Sequence, residues 1–222
     1  MFSKPVVKGG INSDLRQKGK IAELALGYGG GEGALRAMGA LDMGLTAEEL
    51  PNLVNIWRHA NPHIVSYWWQ VDRAVREAIE QLRITRVGAL TFYMKKGTLF
   101  IALPSGRRLA YPGAALTGST YGRRAITYLG LDTKRKWSRI ESYGPKFVEN
   151  IIQSISRDIL AYAMHNLREY FICGHVHDEV IVECREGTTV EEITDIMERT
   201  PDWMPGLLLR ADGYETVCYR KM

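Results

Sequence analysis

Apolar residues recur at helical spacing up to about residue 83, beyond which short strand-spaced segments alternate with helical ones, and this change of pattern constrains the fold more than any other feature of the sequence. Before the change, Asn61-Pro62 offers a helix N-cap and a first-turn proline. Ile64, Val65, Trp68, Val71, Val75, Ile79 and Leu82 then keep one stripe, which predicts a core helix whose aromatics are packing residues. Thr46 with Glu49 is a capping-box pattern ahead of the apolar face Leu50, Leu53, Val54 and Trp57. Ser13 is expected to cap a helix toward Leu26, which runs out into Gly27-Tyr28-Gly29-Gly30-Gly31.

Beyond Arg83, residues 89–94 and 98–103 flank Lys95-Lys96-Gly97 as a β-hairpin, and Pro104-Ser105-Gly106 turns the chain again. Phe147, Ile151, Ile155, Ile159, Tyr162 and Met164 predict a long helix over 145–168. Two short apolar strands, 171–176 and 180–184, follow with His177-Asp178-Glu179 at their tip. A helix over 190–199 and a closing strand pair over 207–219 complete an α+β layout. The expected division is a helical region, 1–85, and a mixed region, 86–222.

With 45% hydrophobic and 24% charged residues, a globular fold is expected and disordered or collagen-like classes are excluded. Cys173, Cys184 and Cys218 show no C-x-x-C spacing, which argues against a disulfide framework or a zinc knuckle and for a reducing cytoplasm. The first ten residues lack the apolar core of a signal peptide, and no apolar run is long enough to span a bilayer. A net charge of +4 carries little information by itself. Its clustering carries more: Lys95-Lys96, Arg107-Arg108, Arg123-Arg124 and Lys134-Arg135-Lys136 are places where phosphates can be neutralised, although each taken singly reads first as a solvated loop.

Two patterns carry chemistry. Arg16, Lys20, Leu24 and Tyr28 are spaced by fours along one slowly drifting helix face, where two cations can hold a polyphosphate ahead of a base or sugar packed on Leu24 and Tyr28. The same spacing also fits an ordinary amphipathic helix with a solvated basic edge. The glycines after it satisfy neither the Walker A order nor the dinucleotide fingerprint. The second pattern is His175-Val176-His177-Asp178-Glu179, whose carboxylates can converge on a hard divalent cation, Asp178 being the best ligand candidate. A solvated turn is the alternative.

Together these segments resemble family A, bacterial Pol I-like DNA polymerases, especially the phage branch. Arg16-x-x-x-Lys20-x-x-x-Leu24-x-x-x-Tyr28-Gly29 looks like the family's fingers motif and Val176-His177-Asp178-Glu179 like its palm metal motif. Between them, Pro104-Ser105-Gly106-Arg107-Arg108 is similar to its glycine-arginine segment, and Gln153 with Asp158 to the glutamine helix that approaches the primer-template minor groove. The resemblance implies the C-terminal fingers and palm of a right-hand polymerase, with thumb and exonuclease absent.

It also implies nucleotidyl transfer from a deoxynucleoside triphosphate to a primer 3′-hydroxyl, assisted by two magnesium ions. Asp178 would ligate metal with Glu179 in support, Arg16 and Lys20 would face the triphosphate, and Lys20 would act on the leaving group. Leu24 and Tyr28 would border the nucleotide and template. Arg107, Arg108, Gln153 and His177 would contact primer-template DNA without reading its sequence.

Leu24 and Glu149 depart from the aromatic residue and asparagine of the best-known cellular members. No aspartate-tyrosine/phenylalanine-serine-x-x-glutamate-like segment, the source of the family's other metal-binding aspartate, precedes Arg16. The chain is therefore expected to be a fragment or split subunit, inactive alone, whose partner supplies that segment, working in the host cytoplasm if phage-encoded. Two other readings remain open: a non-catalytic DNA-binding or assembly subunit, and a metal-dependent hydrolase built on His175-x-His177-Asp178.

Overall fold

The computed structural model describes residues 5–7, 10–118 and 124–219; Arg123 of the Arg123-Arg124 pair lies outside them. Helices α1 (Ser13–Leu26), α2 (Glu32–Ala37), α3 (Glu49–Ala60) and α4 (Pro62–Gln81) come first. Seven strands follow: β1 (Thr85–Val87), β2 (Leu90–Lys95), β3 (Thr98–Ala102), β4 (Arg108–Pro112), β5 (Ala115–Thr117), β6 (Ala125–Leu131) and β7 (Trp137–Ser142). Helix α5 (Gly144–Asn166), the hairpin β8 (Phe171–Val176) and β9 (Glu179–Glu183), and α6 (Val190–Met197) complete the order. The class is α+β with antiparallel pairing. The change from helix to strand falls between Gln81 and Thr85, whereas the compact units are discontinuous: Met1–Ile101 with Ala110–Glu149, and Ala102–Leu109 with Asn150–Met222.

The first unit is built on α4, which buries Trp68, Val71, Ala74, Val75 and Ala78. Fully burying one valine- or leucine-sized side chain contributes about 1.5–3 kcal/mol, so this stripe is the main reason the helix forms here. Trp57 of α3 stacks on Trp68 with ring centroids 5.9 Å apart, so these two tryptophans are core, as expected. Leu82, expected on the stripe, instead follows the helix at φ 52 and is exposed. The capping box at Thr46 is half formed: the Glu49 carboxylate accepts the Thr46 N–H at 2.7 Å, while the helix starts at Glu49 itself.

Strand order is β1-β2-β3-β4 in one sheet and β5-β6-β7 in a second. Lys96 and Gly97 have φ 49 and 72, the two positive angles that a type I′ turn between β2 and β3 needs. Leu90 and Phe92 of β2 and Leu99 and Ile101 of β3 are buried in strict alternation. Tyr128 of β6 in the second sheet and Phe147 of α5 both meet Tyr111 edge-on, 4.9 and 5.0 Å from its ring. Asp72, 3% exposed, accepts the Gly144 N–H at 3.1 Å and pairs with Arg76 at 2.7 Å, so it pins the start of α5 to α4. A Cβ on Gly144 would stand 2.3 Å from the Trp68 carbonyl oxygen, which is why glycine occupies that position.

Three local expectations are corrected. Ser13 is the first residue of α1 and not its cap: Asn12 precedes it at φ 59, and its side-chain amide donates to the Pro5 carbonyl instead of capping the helix. Glu179 belongs to strand β9, paired with Val176, so the hairpin tip is His177-Asp178 alone. Residues 207–219 form no strand pair among the described residues. That segment runs as irregular chain held by side chains: Glu198 accepts the Ala211 N–H and Arg210, each at 3.0 Å, and the Thr200 hydroxyl donates to the Leu207 carbonyl at 2.8 Å.

Candidate functional site

Helix α1 separates its residues cleanly. Ile21, Ala22, Ala25 and Leu26 are buried, α1 packing on α2 and α3, while Arg16, Lys20 and Leu24 are exposed and Tyr28 is half-buried just past the helix end. The face is held in place from behind: Glu23 accepts the Trp57 indole N–H at 3.0 Å, and the Gly30 carbonyl accepts from Arg58 at 3.2 Å. Neither Arg16 nor Lys20 makes a hydrogen bond or ion pair among the described residues, so both cations stand available on a rigid support. Leu24, 49% exposed, supplies apolar surface one turn further on.

The glycines after α1 serve packing. Gly29 has φ 79, and a Cβ there would meet the Pro145 ring at 2.5 Å; a Cβ on Gly30 would stand 2.1 Å from the Ala25 carbonyl oxygen. Their job is to turn the chain tightly under Tyr28, in keeping with the rejection of a phosphate loop.

In the second unit the β8–β9 hairpin places Asp178 at an exposed two-residue tip, with His177 at φ 52. The strands beside it form a two-stranded ribbon, with Phe171 67% exposed at the end away from the tip. Glu179 accepts the Tyr219 hydroxyl at 3.3 Å. No group of three His, Cys, Asp or Glu able to hold a metal occurs among the described residues. The alternate-histidine arrangement of the hydrolase reading is not formed either, because β8 ends at Val176 and His177 leaves the strand with positive φ. Asp178 and Glu179 offer oxygen ligands of the right hardness for magnesium, but these residues do not by themselves build a site for two ions.

Arg107 is committed within its own unit. Its Nε donates to Asp158 at 2.6 Å and its Nη2 to the Ser154 carbonyl at 2.7 Å, while the Ser105 hydroxyl donates to the other Asp158 oxygen at 2.5 Å. Arg107, Ser105 and Asp158 therefore form a clasp between the β3–β4 turn and α5, and Arg108 is the exposed cation beside it. Gln153 is also exposed on α5, and Glu149 is engaged by Lys146 at 2.6 Å. Cys184 is exposed, and local desolvation, with Glu192 and Glu215 adding to the effect, raises its thiol above the ordinary cysteine range.

Sequence reasoning passed over Asp72, whose carboxylate fixes α5, and the whole β5-β6-β7 sheet. A signal existed: the alternation Ile126, Tyr128 against Ile140, Ser142 has strand period, with Asp132-Thr133-Lys134-Arg135 as a turn between.

The chain is a mixed helix and antiparallel-sheet fold that carries a cationic helix face and an exposed carboxylate hairpin. A protein named DNA polymerase from Bacillus phage SP02 is 45% identical over 226 aligned positions, covering all of this chain and 35% of that protein. The chain is thus homologous to a phage DNA polymerase and spans about a third of its length. No family model matches it, and neither does any solved structure. No described helix is long and apolar enough to cross a membrane.

Proposed function

We propose that the chain is the fingers and palm portion of a family A DNA polymerase, its C-terminal part, acting in template-directed nucleotidyl transfer. The observation that carries this reading is the α1 face, with Arg16, Lys20 and Leu24 exposed and Tyr28 half-buried just beyond the helix, in a homologue of a phage DNA polymerase. In the reaction a primer 3′-oxygen attacks the α-phosphorus of a deoxynucleoside triphosphate, the bond to the β-phosphate bridging oxygen breaks, and pyrophosphate leaves. Arg16 binds the outer phosphates, and Lys20 neutralises charge growing on the leaving oxygen and can hand it a proton. Leu24 and Tyr28 pack against the incoming nucleotide and the template position.

Magnesium, when bound, supplies Lewis-acid activation of the 3′-hydroxyl and charge neutralisation on the triphosphate. Asp178 is the ligand this chain contributes, with Glu179 beside it; a further carboxylate would come from polypeptide outside these 222 residues. Arg108, Gln153 and His177 contact the primer-template backbone, and Arg107 acts by shaping the turn that presents Arg108. The setting is the host cytoplasm.

The test is nucleotide binding to the 222-residue chain by calorimetry with a deoxynucleoside triphosphate, then primer extension after adding the complementary polymerase segment. Lys20→Ala should cut extension by about 10²–10³, the typical effect of removing one preorganised transition-state contact, with duplex affinity unchanged. Equal extension by variant and parent refutes the assignment of this face. The second reading, a non-catalytic DNA-binding subunit, is favoured by the absence of a third ligand near Asp178 among the described residues, and it predicts no restored extension with any complement.

A further inference from the structure

We propose that the tip of the β6–β7 hairpin is a binding site for unpaired nucleic acid, with Trp137 as the base-stacking surface and Lys134, Arg135 and Lys136 as the phosphate contacts. The inference rests on the DNA-binding reading above and adds to it a site distinct from the α1 face and the Asp178 hairpin. Leu131 and Trp137 are directly opposed across the two strands, and each is 64% exposed. An indole and a leucine side by side in water at the end of a sheet are costly unless something covers them.

The turn that joins them is built to be rigid. Asp132 accepts the Lys134 and Lys136 N–H groups at 2.8 and 2.9 Å, the Lys136 carbonyl accepts from the Asp132 N–H at 2.9 Å, and Arg135 sits at φ 58. The one acid of the turn is thereby used internally, its second oxygen accepting from Ser138 at 3.4 Å. All three cationic side chains are exposed and meet no acceptor among the described residues. Behind Trp137 on the same face, Arg139 donates to the Gly113 carbonyl and the Thr127 hydroxyl, both at 3.0 Å, which fixes the strand beneath the indole. The opposite face is occupied by Tyr128, packed on Tyr111 and Phe147.

A solvated turn would account for the cations but not for the apolar pair at their base. Charge complementarity selects a polyanion, and a flat indole beside consecutive cations selects one whose charges alternate with aromatic faces, which is unpaired DNA or RNA strand. Duplex is disfavoured, because its bases are already stacked and offer the indole no free face.

The experiment is fluorescence anisotropy of a 5′-labelled oligothymidylate with the full 222-residue chain over a salt series, in parallel with a blunt duplex of random sequence. Trp137→Ala should weaken oligothymidylate binding roughly tenfold with little change in salt slope, the size expected for one lost stack. Trp137→Phe should recover most of it. K134A/R135A/K136A should lower the slope of log affinity against log salt by about 2, as loss of three single-strand phosphate contacts requires. Melting temperatures of the variants control for folding, since all four side chains are exposed.

Unchanged oligothymidylate affinity in both hairpin variants overturns the proposal whatever the duplex does. Polyglutamate that competes as well as oligothymidylate and with the same Trp137 dependence also overturns it, and shows a surface for acidic protein segments. Loss of blunt-duplex binding in Arg108→Ala with oligothymidylate binding intact bears on the primer-template reading alone.

Discussion

Asp72 shows how much one buried carboxylate can organise. It lies on a helix face otherwise made of Val71, Ala74, Val75 and Ala78, where Arg76 and the Gly144 N–H help to offset its charge. Arg76 in turn donates to the Arg124 carbonyl at 2.6 Å, so the carboxylate sits at the head of a chain of contacts reaching the start of β6. Removing one partner of such a pair leaves the other charge without compensation, and Asp72→Ala should cost about 3–5 kcal/mol, read as a lower urea midpoint at unchanged slope. Asp72→Asn should cost less, because an amide oxygen can still accept from Gly144. The glycines after α1 give a contrast at the same scale. Gly30→Ala forces a Cβ onto the Ala25 carbonyl and should lower the melting temperature by several degrees, whereas Gly31→Ala meets nothing within 4 Å and should be near neutral. Equal effects of the two would mean that these glycines act through chain entropy and not through close packing.

At the scale of elements, the C-terminal segment is held to α6 by a titratable tether. The Ala211 N–H, and after it Arg210, holds the Glu198 carboxyl below its ordinary range. A depressed carboxyl contributes stability that is fully present above its unfolded value, ~4.3, and is lost as pH falls through the folded value. Hydrogen exchange of residues 207–219 should therefore quicken below about pH 4 relative to α5 amides, and Glu198→Gln should give the quicker exchange at neutral pH as well. Exchange that is independent of both would show that the apolar contacts of the segment hold it instead. The strand pair expected over this stretch illustrates what sequence can and cannot convey. Leu207, Leu208 and Leu209 look like strand, but no partner strand meets them among the described residues; the Leu207 N–H donates to the Met204 carbonyl and the Ala211 N–H to the Glu198 carboxylate just after α6. The α1, α3, α4 and α5 helices were legible because their stripes repeat over several turns and dominate local preference. The β8–β9 hairpin was legible to within one residue, Glu179, because a two-residue turn and a slightly longer tip share the same spelling. The β5-β6-β7 sheet has an equally clear alternation, yet its meaning depends on Tyr111, Tyr128 and Phe147 meeting from separate segments, which no local window contains. For the candidate sites, spacing by fours could place Arg16, Lys20 and Leu24 on one exposed side of α1 but could not separate a binding face from a solvated basic edge, and the commitment of Arg107 to Asp158 was not legible at all: a basic pair reads the same whether its acceptor is DNA or the next helix.

For the whole molecule, the proposed polymerase role turns on what these units can do by themselves. Two divalent ions close together repel strongly unless bridging carboxylates offset the repulsion, and the ε of a solvent-exposed hairpin tip does little to attract a second ion to Asp178. Glu179 does not supply the bridge, since it is paired in the ladder opposite Val176 and receives the Tyr219 hydroxyl. The expected outcome is that the 222-residue chain shows no appreciable primer extension with magnesium, triphosphates and primed template, while still binding DNA with strong salt dependence. Adding the remaining polymerase polypeptide should restore extension, and Asp178→Ala in this chain should abolish it again, whereas Glu179→Gln should leave a measurable fraction. A labelled-primer gel run on the single chain, the mixture and the two mutant mixtures decides the matter. Asp178-dependent extension by the single chain would place a complete metal site within these residues, and the account given of the β8–β9 tip would then be wrong. Restored extension that ignores Asp178→Ala would instead move the metal to carboxylates of the added polypeptide and leave this chain with the nucleotide-gripping and DNA-holding parts alone.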